Sequence, residues 1–209
     1  MKTQYAFHFD SSRCTGCKTC VIACRDKNDI QDPKLAFRTV HEETGGSWSR
    51  NEDGSWSQNV WAYFVSVSCN HCSKPACVRV CPTGAHARHE ELGGLVLIDR
   101  DVCIGCAVAC PYEAPKLDRK AGKMRKCDMC VDRLARKELP VCVAACPQRA
   151  LDFGTVEELR KRHGDDGMIA PLAAGDYTKP HLLITKCAQA QPAPERTRSW
   201  PDFLNDKTA

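Results

Sequence analysis

Fifteen of the sixteen cysteines in this 209-residue chain fall into four tight groups. Cys14, Cys17, Cys20 and Cys24 follow C-x2-C-x2-C-x3-C, and Cys69, Cys72, Cys77 and Cys81-Pro82 follow C-x2-C-x4-C-x3-C-P. Cys103, Cys106 and Cys110-Pro111 form a shorter third group, and Cys127, Cys130, Cys142 and Cys146-Pro147 form the fourth. Thiolates suit both zinc and iron–sulfur clusters, so spacing must decide. C-x2-C pairs do bind zinc. A C-x2-C-x2-C run, however, places three thiolates where they reach three irons of one cube and sends a fourth to a different site, which is iron–sulfur spacing. A secreted disulfide scaffold approaches this cysteine content, but such frameworks rarely repeat a C-x2-C ladder. Four groups predict as many clusters, and several clusters in one chain predict an electron wire.

Other chemistry is absent from the sequence. It contains no Ser-His-Asp set, phosphate loop or dinucleotide fingerprint. His71, inside the second group, reads as a packing or hydrogen-bonding residue, and Cys187, which stands alone, reads as structural. The net charge is +4, and Arg13, Lys18, Arg25, Lys74, Arg79, Lys126 and Arg133 sit beside cysteines. Such cations either stabilise negatively charged clusters or form ordinary solvated surface. They are dispersed and form no stripe, so nucleic acid is not an expected partner. No apolar run reaches the roughly 18 residues that span a bilayer; the best, residues 60–67, is short and broken by Ser66. Met1-Lys2-Thr3-Gln4 shows neither an apolar leader nor paired arginines. Any membrane contact is therefore expected through a partner.

The elements that must position the cysteines repeat. Residues 5–9 read as a strand followed by Asp10, a spacer and Cys14-Thr15-Gly16-Cys17; residues 95–98 read as a strand followed by Asp99, a spacer and Cys103-Ile104-Gly105-Cys106. Glycine between the cysteines lets backbone approach a cluster. Strands at residues 62–67 and 122–125 lead into Cys69 and Cys127. The predicted fold is α+β: two nested two-cluster ferredoxin-like modules of short strands and helices. Residues 1–27 with 122–154 form the outer module, from the first and fourth groups, and residues 60–121 form the inner one. Sequential pairing, first with second and third with fourth, is the alternative. Residues 28–59 read as an inserted surface hairpin carrying Trp48 and Trp56, which either meet a partner or fold back on the scaffold. Residues 155–209 read as a helix and an extended tail. Thr155 and Glu158 predict a capping box opening a helix through His163, stopped by Gly164; beyond it, a long proline-rich segment is expected to wrap a partner.

The chain resembles the four-cluster iron–sulfur subunit of anaerobic dimethyl sulfoxide reductase. The resemblance is carried by residues 9–24 (FDSSRCTGCKTCVIAC), 68–82 (SCNHCSKPACVRVCP), 126–132 (KCDMCVD) and 142–154 (CVAACPQRALDFG), and continues through residues 156–164. It implies a non-catalytic electron-transfer subunit. That subunit would pass electrons from an integral membrane anchor that oxidises menaquinol to a molybdopterin catalytic subunit that reduces dimethyl sulfoxide or a similar S- or N-oxide. The cysteine pattern alone is shared with subunits of polysulfide, nitrate and formate molybdoenzymes, and a free multi-cluster ferredoxin is a further alternative. The resemblance also implies a membrane-associated complex on the periplasmic face, with the chain exported alongside a catalytic subunit that bears the signal. Carried over residue by residue, it assigns Cys14, Cys17, Cys20 and Cys146 to one cube and Cys127, Cys130, Cys142 and Cys24 to the next. A third cube takes Cys69, Cys72, Cys77 and Cys110, and Cys103, Cys106 and Cys81 are left for the fourth, on the membrane side.

One departure bears on the cofactor count. The family's third group reads C-x2-C-x2-C-x3-C-P, and here it is three residues and one cysteine short, so Cys106 cannot be both second and third ligand. Either the loop is truly short, and the fourth cube becomes 3Fe–4S or is incomplete, or three residues are missing from the sequence as written. A true loss should also misplace Cys110, which favours the second reading. The expectation is three to four 4Fe–4S clusters.

Overall fold

A computed structural model of the protein describes residues 3–106 and 109–194. The chain opens with β1 (Tyr5–Asp10) and α1 (Thr19–Lys27), which precede and carry the first cysteine group. Next come β2 (Arg38–Gly45), β3 (Trp48–Arg50), β4 (Trp56–Gln58) and β5 (Trp61–Ser68). The second and third groups lie among α2 (Ala76–Arg79), β6 (His86–His89), β7 (Leu95–Ile98), β8 (Lys116–Asp118) and β9 (Lys123–Arg125). The fourth group spans α3 (Val131–Ala135) and α4 (Val141–Ala144), followed by β10 (Leu151–Thr155), α5 (Val156–His163) and β11 (Leu182–Thr185). Short strands and short helices around cysteine loops make this an α+β fold of ferredoxin type.

Strand pairing is nested. β1, before the first group, pairs antiparallel with β10, after the fourth, from Tyr5↔Thr155 to Phe9↔Leu151. β6, after the second group, pairs antiparallel with β7, before the third. Both faces of β1 are covered, so its middle four residues are all buried. Phe7 and Phe9 face a core that contains Cys20, Cys24, Cys127, Cys142 and Cys146. Ala6 faces Leu159 of α5 and Leu183 of β11.

The expected insert is not separate from the module after it. β2 pairs with β5 along its whole length, from Arg38↔Ser68 to Gly45↔Trp61, so the pairing crosses residue 60. Only β3 and β4 form the protruding hairpin. Trp48 and Trp56 do not fold back; they are 62% and 61% exposed.

The tail requires a correction. Through Pro194 it packs on its own chain instead of reaching for a partner. β11 joins β1 in parallel, Phe7↔Leu182 to Asp10↔Thr185, and Ile169, Leu172, Leu182 and Ile184 complete the main core. The physical reason is the Leu-Leu-Ile run, whose three side chains are buried, beside an edge of β1 that would otherwise lie open. Residues 195–209 lie outside the described residues, so the expectation for the end of the tail is not addressed.

Helix α5 shows how local sequence anchors this layer. The Thr155 hydroxyl accepts from the Glu158 N–H at 3.2 Å, and the Thr155 N–H donates to the Glu158 carboxylate at 3.0 Å. The two bonds satisfy end groups that the helix itself cannot. Arg162 and His163 in the last turn converge on Asp152 at 2.7 and 2.8 Å. Leu159 is the helix's fully buried side chain. Leu159→Ala is expected to cost about 2–5 kcal/mol, read as a lower urea midpoint; an unchanged midpoint would show that the α5 contact adds nothing to stability.

Candidate metal centres

Each cysteine loop bends around a centre by using left-handed backbone. Gly16, Lys18, His71, Gly105, Met129 and Cys130 all have φ between +42° and +71°. Such conformations in non-glycine residues persist only where surroundings over-determine them, as at ligand clamps. The two glycines need their missing side chains for a different reason from the one the sequence suggested. A Cβ on Gly16 would lie 2.5 Å from the Phe64 ring, and one on Gly105 would lie 2.4 Å from the Gly122 carbonyl.

The loops bring together thiols that are far apart in sequence. Cys14, Cys17, Cys20 and Cys146 line one pocket, walled by Phe9, Val40 and Leu151, with about 320 Å³ free of protein atoms. Cys69, Cys72, Cys77 and Cys110 line a second, with about 340 Å³. Cys24 and Cys130 lie within electrostatic reach of Cys142, and Cys127 within reach of Cys24 and Cys142, making a third set. Two further contacts join the sets into a row: Cys142 acts on Cys20, and Cys69 acts on Cys127. Cys81 packs with Cys103 in a separate small cluster that includes Ala85 and Met124. Cys106 is half-buried, and its neighbours Ala107 and Val108 lie outside the described residues.

The position of Cys110 corrects one inference. A short third group was expected to misplace it, yet it lines the pocket of the second group. The shortening is therefore compatible with Cys110 serving that pocket, and its cost falls on the Cys81 and Cys103 region.

The thiols fit polynuclear iron. Among the described residues none is in a disulfide. Burial pushes the thiols of Cys24, Cys72 and Cys77 up to about 12, with neighbouring cysteine sulfurs adding to the rise. Thiols so placed stay protonated without a metal, whereas a coordinating metal deprotonates them outright, so loading would release protons. Donors are already aimed at several sulfurs. The Met129 N–H reaches Cys127 at 3.3 Å, the Met124 N–H reaches Cys103 at 3.4 Å, and the His86 N–H reaches Cys81 at 3.5 Å. Hydrogen bonds to cluster sulfurs are one lever on reduction potential.

Two buried cations accompany the thiols. Lys126, 6% exposed, donates to the carbonyls of Val96 and Cys127 and acts on Cys77 and Cys110. Arg38, 2% exposed, donates to the Ser66 and Ser68 hydroxyls at 3.0 and 2.9 Å. Lys126 was legible beside Cys127. Arg38 was not, because it lies in the segment read as an insert, away from any cysteine, and only strand pairing carries it inward. His71 is fully buried and accepts from the Val96 N–H at 2.9 Å, a hydrogen-bonding role. Cys187 is half-buried, packs on the main core and donates its N–H to the Ser11 hydroxyl at 2.7 Å.

Fold and thiol sets together define an iron–sulfur electron-transfer protein built on ferredoxin-type modules. The 4Fe-4S dicluster domain family matches residues 60–156. The sequence is 50% identical to the iron–sulfur subunit of anaerobic dimethyl sulfoxide reductase from Escherichia coli K12, over 94% of this protein and 96% of that one. It is 38% identical to the thiosulfate reductase electron transfer subunit PhsB of Salmonella typhi, over 76% of this protein and 79% of that one. It is 34% identical to the iron–sulfur subunit of tetrathionate reductase from Salmonella typhimurium, over 95% and 78%. The protein belongs to the family of anaerobic dimethyl sulfoxide reductase iron–sulfur subunits, which transfer electrons and do not catalyse alone.

Proposed function

We propose that this chain relays single electrons from a menaquinol-oxidising membrane anchor to a molybdopterin catalytic subunit that reduces dimethyl sulfoxide or a similar S- or N-oxide. The observation that carries this reading is the row of thiol sets, each drawing cysteines from two sequence groups. The proposed sites are, in order, Cys14, Cys17, Cys20 and Cys146; Cys127, Cys130, Cys142 and Cys24; Cys69, Cys72, Cys77 and Cys110; and Cys81, Cys103 and Cys106. The first three would hold 4Fe–4S cubes, and the fourth a 3Fe–4S or incomplete cluster. When bound, each cluster supplies a one-electron redox centre. The protein's residues hold it by thiolate, aim N–H groups at its sulfurs and exclude water with the apolar walls of each pocket.

The nested strand pairing supports reading residues 1–27 with 122–154 as the outer module and residues 60–121 as the inner, with β5 shared by the insert. Among the described residues no helix is long and apolar enough to cross a membrane. Membrane association through the anchor, on the periplasmic face, is the corresponding proposal. The 50% identity with the dimethyl sulfoxide reductase subunit, against 38% and 34% for the thiosulfate and tetrathionate subunits, favours the sulfoxide branch.

The test is chemical analysis of the complex purified without oxygen. Iron and acid-labile sulfide should be near equal, and reduction should produce interacting paramagnetic signals. Zinc in place of iron would overturn the reading.

A further inference from the structure

Arg38 is a buried cation held by neutral groups. It begins β2 directly opposite Ser68 of β5. Its two terminal nitrogens donate to the hydroxyls of Ser66 and Ser68, and Nε has no partner among the described residues. Its carbon centre lies 4.9 Å above the Phe7 ring, a contact that orients the guanidinium without neutralising it. No carboxylate forms an ion pair with it among the described residues. A buried charge left in this state is strongly destabilising unless something compensates it.

The groups placed to compensate it are sulfurs. Burial pushes the Arg38 pKa down, but Cys142, Cys20, Cys127 and Cys24 outweigh burial and hold it up. Cys20 belongs to the first thiol set and the other three to the second. Ser66 ties the guanidinium to the first set through a second bond, because its hydroxyl also lies 3.4 Å from the Cys20 sulfur.

We propose that Arg38 is the shared counter-charge of the clusters at the first and second sites, and that it holds both at a higher reduction potential than their ligands alone would set. The inference rests on the site assignment proposed above. Reduction adds one electron to a cluster, from the chain in turnover or from dithionite in a titration, and forms or breaks no bond. The added negative charge is stabilised by a fixed positive charge that solvent and salt screen poorly in the interior. Arg38 therefore favours the reduced state at both sites, through an unbroken pair of serine contacts that keep it between them.

The experiment is a dithionite titration of the assembled complex, followed by electron paramagnetic resonance, with signals assigned by Cys146→Ser and Cys24→Ser. A wild type lacking iron and sulfide would defeat the site assignment itself, before any Arg38 variant is compared. Arg38→Gln and Arg38→Met should shift the first- and second-site equilibria toward the oxidised state by about tenfold or more, 59 mV for one electron. The third-site signal should not move. Arg38→Lys keeps the charge without the fork and should stay within about threefold of wild type on the same scale. Intact clusters with unmoved potentials in the neutral variants would overturn the proposal, as would a lysine variant that falls as far as glutamine. If both neutral variants lose these clusters, retention by lysine supports the need for charge. Loss in lysine as well would overturn the proposal in favour of the serine bonds as fold cement.

Discussion

Cys146→Ser is expected to destroy the cluster anchored by Cys14, Cys17 and Cys20 and to leave the one anchored by Cys127, Cys130 and Cys142 in place. By sequence the opposite would follow, since Cys146 lies one helical turn from Cys142. The pocket decides: Cys146 lines the same cavity as the first group's three leading thiols, whereas Cys142 acts on Cys24. The reciprocal change, Cys24→Ser, should damage the second site and spare the first. Losing an outer-shell partner costs metal sites roughly 10- to 100-fold in affinity or activity, and losing a ligand should cost at least as much in quinol-dependent turnover. Site-resolved paramagnetic spectra check the result. Damage from Cys146→Ser confined to the Cys127 and Cys130 cluster would refute the nested pairing.

The fourth site carries the second large effect. Cys110 lies with Cys69, Cys72 and Cys77, which leaves Cys81, Cys103 and Cys106. Three thiolates hold a cube loosely at one iron, and loss of that iron yields a 3Fe–4S cluster that is paramagnetic when oxidised. Less negative charge on the cluster raises its potential. In the proposed arrangement this site receives electrons from menaquinol, so a raised potential holds them there. Each rise of about 59 mV favours that trap tenfold for one electron. An oxidised 3Fe–4S signal stoichiometric with the chain is therefore expected. Menaquinol oxidation should be slow, while reduction by an artificial dye feeding the catalytic subunit directly should be normal. Inserting three residues that include a cysteine after Cys106 should remove the signal and speed quinol oxidation. Mass spectrometry of the peptide covering residues 102–111 checks that the loop is short. A confirmed short loop with four complete 4Fe–4S clusters would show that a non-cysteine ligand or water completes the site.

The sequence by itself determined the chemistry and much of the local structure. Cysteine spacing specifies iron–sulfur ligation because three thiols on one short loop already have nearly the separation that one cube requires. Thr155 and Glu158 determine where α5 begins because both capping bonds form within a single turn. The strand before Cys103 was legible because Leu95–Ile98 is a short apolar run ending at Asp99. These are short-range properties, and neighbouring residues suffice to encode them.

The tertiary structure decided what depends on chain segments meeting. It places Cys146 with the first group and Cys110 with the second, since strand pairing of β1 with β10 and of β6 with β7 brings those loops together. It turns the Leu182–Thr185 segment into a strand on β1, where a proline-rich sequence gave no periodicity to read. Above all it carries Arg38 inward. Nothing around that residue marks it, and its role arises only because β2 lies on β5, which sets a guanidinium against two serine hydroxyls and between two sets of sulfurs. Burial of a charge is a property of the assembled layers, and no local pattern of residues encodes it.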